Sequence, residues 1–101
     1  MKYTIMQIKN IGDCKYAFMD YSYAQDFDFD LNDYDEVYHS DMPLDEGETT
    51  EHFLDSIFTI FNIHRPENFS GHSMSVSDII KFEDGRLFYC EPCGWKQIKF
   101  K

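Results

Sequence analysis

The sequence predicts an α+β fold, a small antiparallel sheet packed against one main helix and a short helix. Three observations carry that expectation. Apolar residues recur at three- and four-residue spacing between Phe53 and Phe61, polar and apolar residues alternate near both ends of the chain, and the connections between these stretches are short. With 101 residues the chain has the length of one ordinary domain, so residues 1–101 are expected to form a single unit around one core. Aromatic residues make up 18% of it, ten Phe and seven Tyr among them, which is enough core material to argue against disorder despite the charge.

Lys2 to Ile8 reads as a strand, with Tyr3, Ile5 and Gln7 alternating against Thr4, Met6 and Ile8 before Asn10-Ile11-Gly12-Asp13 turns the chain. Cys14 to Met19 is expected to return as its partner and close an N-terminal hairpin. Asp20 is an N-cap for a short helix through about Phe27, and Leu31-Asn32-Asp33 loops into a short strand from Tyr34 to Tyr38. The main helix starts at Thr49 or Thr50, carries Glu48 and Glu51 at the positive end of its dipole, and must end by about Ile63 because Pro66 follows. Its aromatic stripe is core rather than a cofactor site. Ser73 to Ser77 alternates and runs into Ile79-Ile80-Lys81-Phe82 as a half-buried strand, and Glu83-Asp84-Gly85-Arg86 is a hairpin turn. Leu87 to Cys90 and Trp95 to Phe100 complete a three-stranded C-terminal meander.

Charge narrows the function. Nineteen Asp and Glu face nine Lys and Arg, and between Tyr16 and His64 there is no Lys or Arg. That stretch holds Asp20, Asp26, Asp28, Asp30, Asp33, Asp35, Glu36, Asp41, Asp45, Glu46, Glu48, Glu51 and Asp55, while Arg86, Lys96, Lys99 and Lys101 make the other end mildly positive. Such a field repels phosphate backbones and attracts basic surfaces, so direct nucleic-acid binding is not expected. Surface charge ordinarily serves solubility. Here the run also interleaves Tyr16, Phe18, Tyr21, Tyr23, Phe27, Phe29, Tyr34 and Tyr38, a combination suited to recognising a basic protein. Asp26, Asp28, Asp30, Asp33, Asp35 and Glu36 are the expected partner-binding residues. No apolar stretch is long enough for a membrane span, the start has no signal-peptide pattern, and three cysteines are an odd number for a secreted framework, so a cytoplasmic protein is expected.

The gapless run from Phe58 to Ile80, which includes His64-Arg65-Pro66-Glu67-Asn68-Phe69 and Gly71-His72-Ser73-Met74-Ser75-Val76-Ser77-Asp78, resembles the signature of the YodL-like domain family. Tyr89-Cys90 and Gly94-Trp95 fit the same pattern, as do Tyr16-Ala17-Phe18-Met19 and Tyr34-Asp35-Glu36-Val37-Tyr38. The resemblance implies a protein of phages and conjugative elements, encoded near genes that blunt host defence, with no assigned catalytic residues. A small acidic protein of this kind is also similar to the anti-CRISPR inhibitors of type II effector nucleases, one of them zinc-containing. Cys14, His64 and Cys93 depart from the family pattern, and all three are metal-ligand types.

Cys90-x-x-Cys93-Gly94 has the form of a zinc knuckle in a hairpin, where a tight turn aims two thiolates at one ion. A tetrahedral site needs two more ligands. The expected set is Cys14, Cys90, Cys93 and His64, with His72 in reserve, holding one structural zinc. No catalytic residues are expected: His72 with Ser73, Ser75 and Ser77 shows no nucleophile elbow, and Cys90 or Cys93 as a nucleophile is the weaker reading of those thiols. The expected function is inhibition of a type II CRISPR effector nuclease through the acidic surface. The alternative is a non-catalytic accessory module of a mobile element that binds another basic host protein.

Overall fold

The computed structural model describes all residues except 28, 44–46, 64, 65, 68, 70, 72, 93 and 99–101. Among the described residues five strands, β1 (Lys2–Ile8), β2 (Tyr34–Asp41), β3 (Ile79–Phe82), β4 (Leu87–Glu91) and β5 (Gly94–Ile98), form one antiparallel sheet in the order β2-β1-β3-β4-β5. The same residues hold two α-helices, α1 (Tyr21–Gln25) and α2 (Thr50–Ile63). The α+β architecture with a main and a short helix is the one the periodicities predict.

Strand alternation sorts the core into two clusters. Tyr3 and Ile5 of β1, Ile80 and Phe82 of β3 and Phe88 of β4 point one way and meet Phe53, Leu54, Ile57 and Phe61 of α2. Met6 and Ile8, Ile79, Leu87 and Tyr89, and Ile98 of β5 point the other way and are covered by Tyr16, Tyr21 and Ala24, together with Tyr34 of β2. The sheet is thus the middle of three layers, and every residue of β1 from Tyr3 to Ile8 is buried, Thr4 and Gln7 included.

α2 begins where the sequence places it. Thr49 is the cap: its hydroxyl accepts from the His52 N–H at 3.1 Å and its carbonyl from the Phe53 N–H. Phe53, Leu54, Ile57 and Phe61 are all but inaccessible, and full burial of such side chains stabilises by roughly 1.5–3 kcal/mol each. Edge-to-face contacts of Phe53 with Tyr3 and Phe82, and of Phe61 with Tyr38 and Phe69, knit helix to sheet.

Two strand expectations are corrected. Cys14 to Met19 is not the partner of β1; it forms successive turns, with Ala17 N–H bonded to the Cys14 carbonyl and Met19 N–H to that of Tyr16. β2 takes the place beside β1, pairing in register from Lys2 with Asp41 to Ile8 with Tyr34 across one bulge, and it extends to Asp41 rather than Tyr38. Ser73 to Ser77 does not join β3. The Ser75 N–H is captured by Asp78 Oδ2, the Ser75 hydroxyl by the Ser73 carbonyl, and Ser77 stands at φ +82°, so local side-chain bonds displace the ladder. β5 starts at Gly94, one residue before the expected Trp95, and its expected end at Phe100 lies outside the described residues.

A candidate protein-binding surface

The first part of the acidic stretch, residues 16–31, builds the layer opposite α2. Asp20 caps α1 by accepting from the Tyr23 N–H at 2.9 Å, and Asp30 caps a short 3-10 turn at 31–33 by accepting from the Asn32 N–H. The Tyr16 hydroxyl donates to Asp33 Oδ2 at 2.7 Å, and the Tyr89 hydroxyl to the Met19 carbonyl at 2.6 Å. Burial, with neighbouring acidic groups, pushes the phenols of Tyr16, Tyr34 and Tyr89 above the ordinary range, so they remain neutral donors.

A buried polar knot behind this layer uses the Gly71 to Asp78 run. Asp78, 1% exposed, accepts through Oδ2 from Gln7 Nε2 at 3.0 Å and from the Ser75 N–H at 2.9 Å. Its carbonyl accepts from Cys90, whose own carbonyl accepts from the Ser77 N–H. Gly71 lies so close that a Cβ there would collide with Gln7 Oε1 and the Phe69 ring, which explains the glycine by contact rather than conformation. Ser77 then reaches outward: its hydroxyl accepts from the Phe18 N–H at 3.0 Å and its carbonyl from the Tyr34 hydroxyl at 2.6 Å. Phe18, like Ser77, is a non-glycine residue with a left-handed backbone, at φ +65°. The run is structural, tying β1, β4 and the 16–34 segment to one point. A Ser-Val-Ser-Asp sequence beside a strand signals local side-chain capture, but nothing in it names Gln7 as the acceptor's partner.

The structure sorts the eight interleaved aromatics. Tyr16, Tyr21 and Tyr34 are buried, Phe29 and Tyr38 half-buried, and Phe18, Tyr23 and Phe27 exposed. Ile11 and Met19 join the exposed group, a display that the sequence reading did not separate from core.

Of the expected partner-binding residues, Asp26, Asp33, Asp35 and Glu36 are exposed and Asp30 is half-buried; Asp28 lies outside the described residues. Across the wider stretch from Asp20 to Asp55, eight of the ten described acids are exposed, and Glu36 is bridged to Lys81 at 3.1 Å. Strand order puts acidic β2 and Lys96-bearing β5 at opposite edges of the sheet. Asp55 departs from that division, since it accepts from Trp95 Nε1 on the β5 side. A shallow groove of about 560 Å³ crosses the polar end of the sheet between Lys2, Thr4, His39, Asp41 and Lys81.

The expected metal ligands are only partly described, because Cys93, His64 and His72 lie outside the described residues. Cys14 packs against the cluster under α1, whereas Cys90 shares the face of Phe88 and its pair-mate Trp95, toward α2. The two thiols therefore stand on opposite faces of the sheet. Among the described residues no group of three or more His, Cys, Asp and Glu side chains is placed to hold a metal ion. Burial pushes the Cys90 thiol up to about 12, helped by Asp78, Glu91 and Asp55, so it is protonated at neutral pH and a poor nucleophile.

No helix among the described residues is long and apolar enough to cross a membrane. Neither a curated protein nor a solved structure matches the chain. The sequence profile of the YodL-like domain matches residues 2–100, which spans the sheet, both helices and the polar knot, and by that match the chain belongs to the YodL-like domain family.

Proposed function

We propose that the protein is a non-catalytic anti-CRISPR inhibitor, encoded by a phage or other mobile element, that binds a type II RNA-guided effector nuclease through its acidic surface and blocks loading of target DNA. The observation that carries the reading is the exposure of eight acids between Asp20 and Asp55 in a stretch without one Lys or Arg. Nucleases of this class hold the guide-target heteroduplex in a positively charged channel and read its backbone, so an acidic protein competes there without imitating any base. Cytoplasmic action in the bacterial host belongs to the same reading.

The test is a cleavage assay with purified protein against a panel of type II nucleases. Inhibition that weakens as salt rises, and that falls when Asp26, Asp28, Asp30 and Asp33 are together replaced by Asn with the melting temperature held, supports the reading. Undiminished cleavage by every nuclease at large molar excess removes it and leaves another basic host protein as partner.

Structural zinc belongs to the proposal only through the Cys90–Cys93 turn, since Cys14 stands across the sheet from Cys90. Glu91 pairs with Gly94 around that turn, and Gly94 adopts φ +110°. Protein purified without chelator should then carry one zinc per chain and lose it on Cys93→Ser; far less than one zinc per chain refutes it.

A further inference from the structure

Charge alone is too sparse to hold this protein on a nucleic-acid channel. The molecule is 38 Å long and has a formal net charge of −10. A duplex of that length carries roughly 22 negative charges, at one per about 1.7 Å of axis. A competitor with under half the charge requires a second source of affinity.

Such a source is on the surface. Among the described residues six large hydrophobic side chains are exposed, and five of them, Ile11, Phe18, Met19, Tyr23 and Phe27, fall between residues 11 and 27. Scattered exposed apolar residues are ordinary, whereas here five fall within one short segment of chain. Tyr23 and Phe27 stack with ring centroids 4.7 Å apart, and Phe18 is 49% exposed. The backbone beneath is fixed from the core: fully buried Ser77 accepts from the Phe18 N–H, and fully buried Tyr89 donates to the Met19 carbonyl. A display held this way loses little conformational freedom on binding. Asp13, Asp20 and Asp26 are exposed in the same segment, where Lys15 is the one basic residue.

We infer that Phe18, Met19, Tyr23 and Phe27 are the apolar anchor of the interface, seated against an arginine-bearing surface of the effector nuclease, with Asp20 and Asp26 pairing at the rim. Arginine is the complement because its planar cation stacks on aromatic rings while its N–H groups meet a carboxylate. The protein contains that arrangement in miniature: the Arg86 guanidinium lies 5.0 Å from the Phe82 ring centroid while its Nε bonds Asp84 at 2.8 Å. Aromatic and Met side chains dominate the centre of protein interfaces, with charges around them. This inference rests on the inhibitor reading and divides its labour, steering by the acids and retention by the rings.

Kinetic binding to guide-free type II nucleases across a salt titration tests it. Phe18→Asn removes the ring while keeping a residue that accepts a left-handed backbone, and a Tyr23→Ser, Phe27→Ser double variant removes the stacked pair. Each should raise the dissociation rate more than about tenfold with little change in association rate or salt dependence, in variants whose melts show them folded at the assay temperature. The Asn variants of the acids should instead slow association and flatten the salt dependence. Wild-type binding with dissociation rates of both apolar variants within about twofold of it overturns the anchor and spares the inhibitor reading. Absence of wild-type binding to every nuclease overturns both.

Discussion

Replacing Asp78 by Ala should be among the most damaging single changes in this fold. The carboxylate is 1% exposed, and one oxygen accepts both from Gln7 Nε2, itself 2% exposed, and from the Ser75 N–H. Alanine removes the acceptor from both donors. A buried donor deprived of its acceptor costs about 1–3 kcal/mol, and the half-buried Ser75 N–H, which water reaches, costs less, so the sum is roughly 2–4 kcal/mol. Against a typical total of 5–15 kcal/mol for a domain, that is a large fraction. For a domain near 100 residues each kcal/mol moves the melting temperature by about 4–8 °C, which puts the variant at least 8 °C below wild type. Circular dichroism melts and urea titrations of wild type, Asp78→Ala and Asp78→Asn measure it. Asp78→Asn keeps an acceptor oxygen and should recover part of the loss. An Asp78→Ala protein melting within about 2 °C of wild type would refute the claim that the knot holds β1 to the 73–78 segment.

Three further outcomes are expected. Gly71→Ala should destabilise by about 1–3 kcal/mol, because the added methyl collides with the buried Gln7 amide and the Phe69 ring, and a denaturation midpoint equal to wild type contradicts it. Thr49→Ala should cost about 1 kcal/mol as the His52 N–H loses its cap, with Thr49→Ser restoring most of it in the same titration. In zinc-free protein, Cys90 should resist thiol reagents in the folded state at neutral pH. Its folded pKa is raised, so the stability linked to it is present below the ordinary thiol value of 9.0 and is lost as pH climbs from there to about 12; a stability that rises over that window is incompatible with a buried, protonated thiol.

What could be read ahead of the structure was whatever a single period or a single local bond decides. α2 was legible because Phe53, Leu54, Ile57 and Phe61 obey one helical repeat and Thr49 supplies the cap. The hairpin at Asp84-Gly85 was legible because a glycine at φ +92° follows Asp. Pairing choices were not, since β1 could be matched to Cys14–Met19 or to β2 by alternation alone, and only the competing turn bonds of Cys14 and Tyr16 decide. Ser73 to Ser77 has strand periodicity, yet Asp78 takes the Ser75 N–H from any ladder. That Cys14 and Cys90 lie toward opposite faces of the sheet was not legible either, because no local pattern tells which face a distant loop covers. The same ignorance left displayed and buried aromatics of the 16–38 stretch unsorted.

β1 lies between β2 and β3, so Tyr3 is paired with Phe82 across most of the chain. During synthesis β1 and β2 leave the ribosome before β3, and the paired strands must wait with the apolar edge of β1 open until residues 79–82 emerge. Pairing so distant in sequence slows closure of the sheet, and an open edge of this kind is a template for association with other nascent chains. A message truncated anywhere before Ile79 would therefore yield a polypeptide with half its sheet unsealed, fit for proteolysis rather than for accumulation. The topology makes the strand at 79–82 the element on which closure of the β1 edge waits.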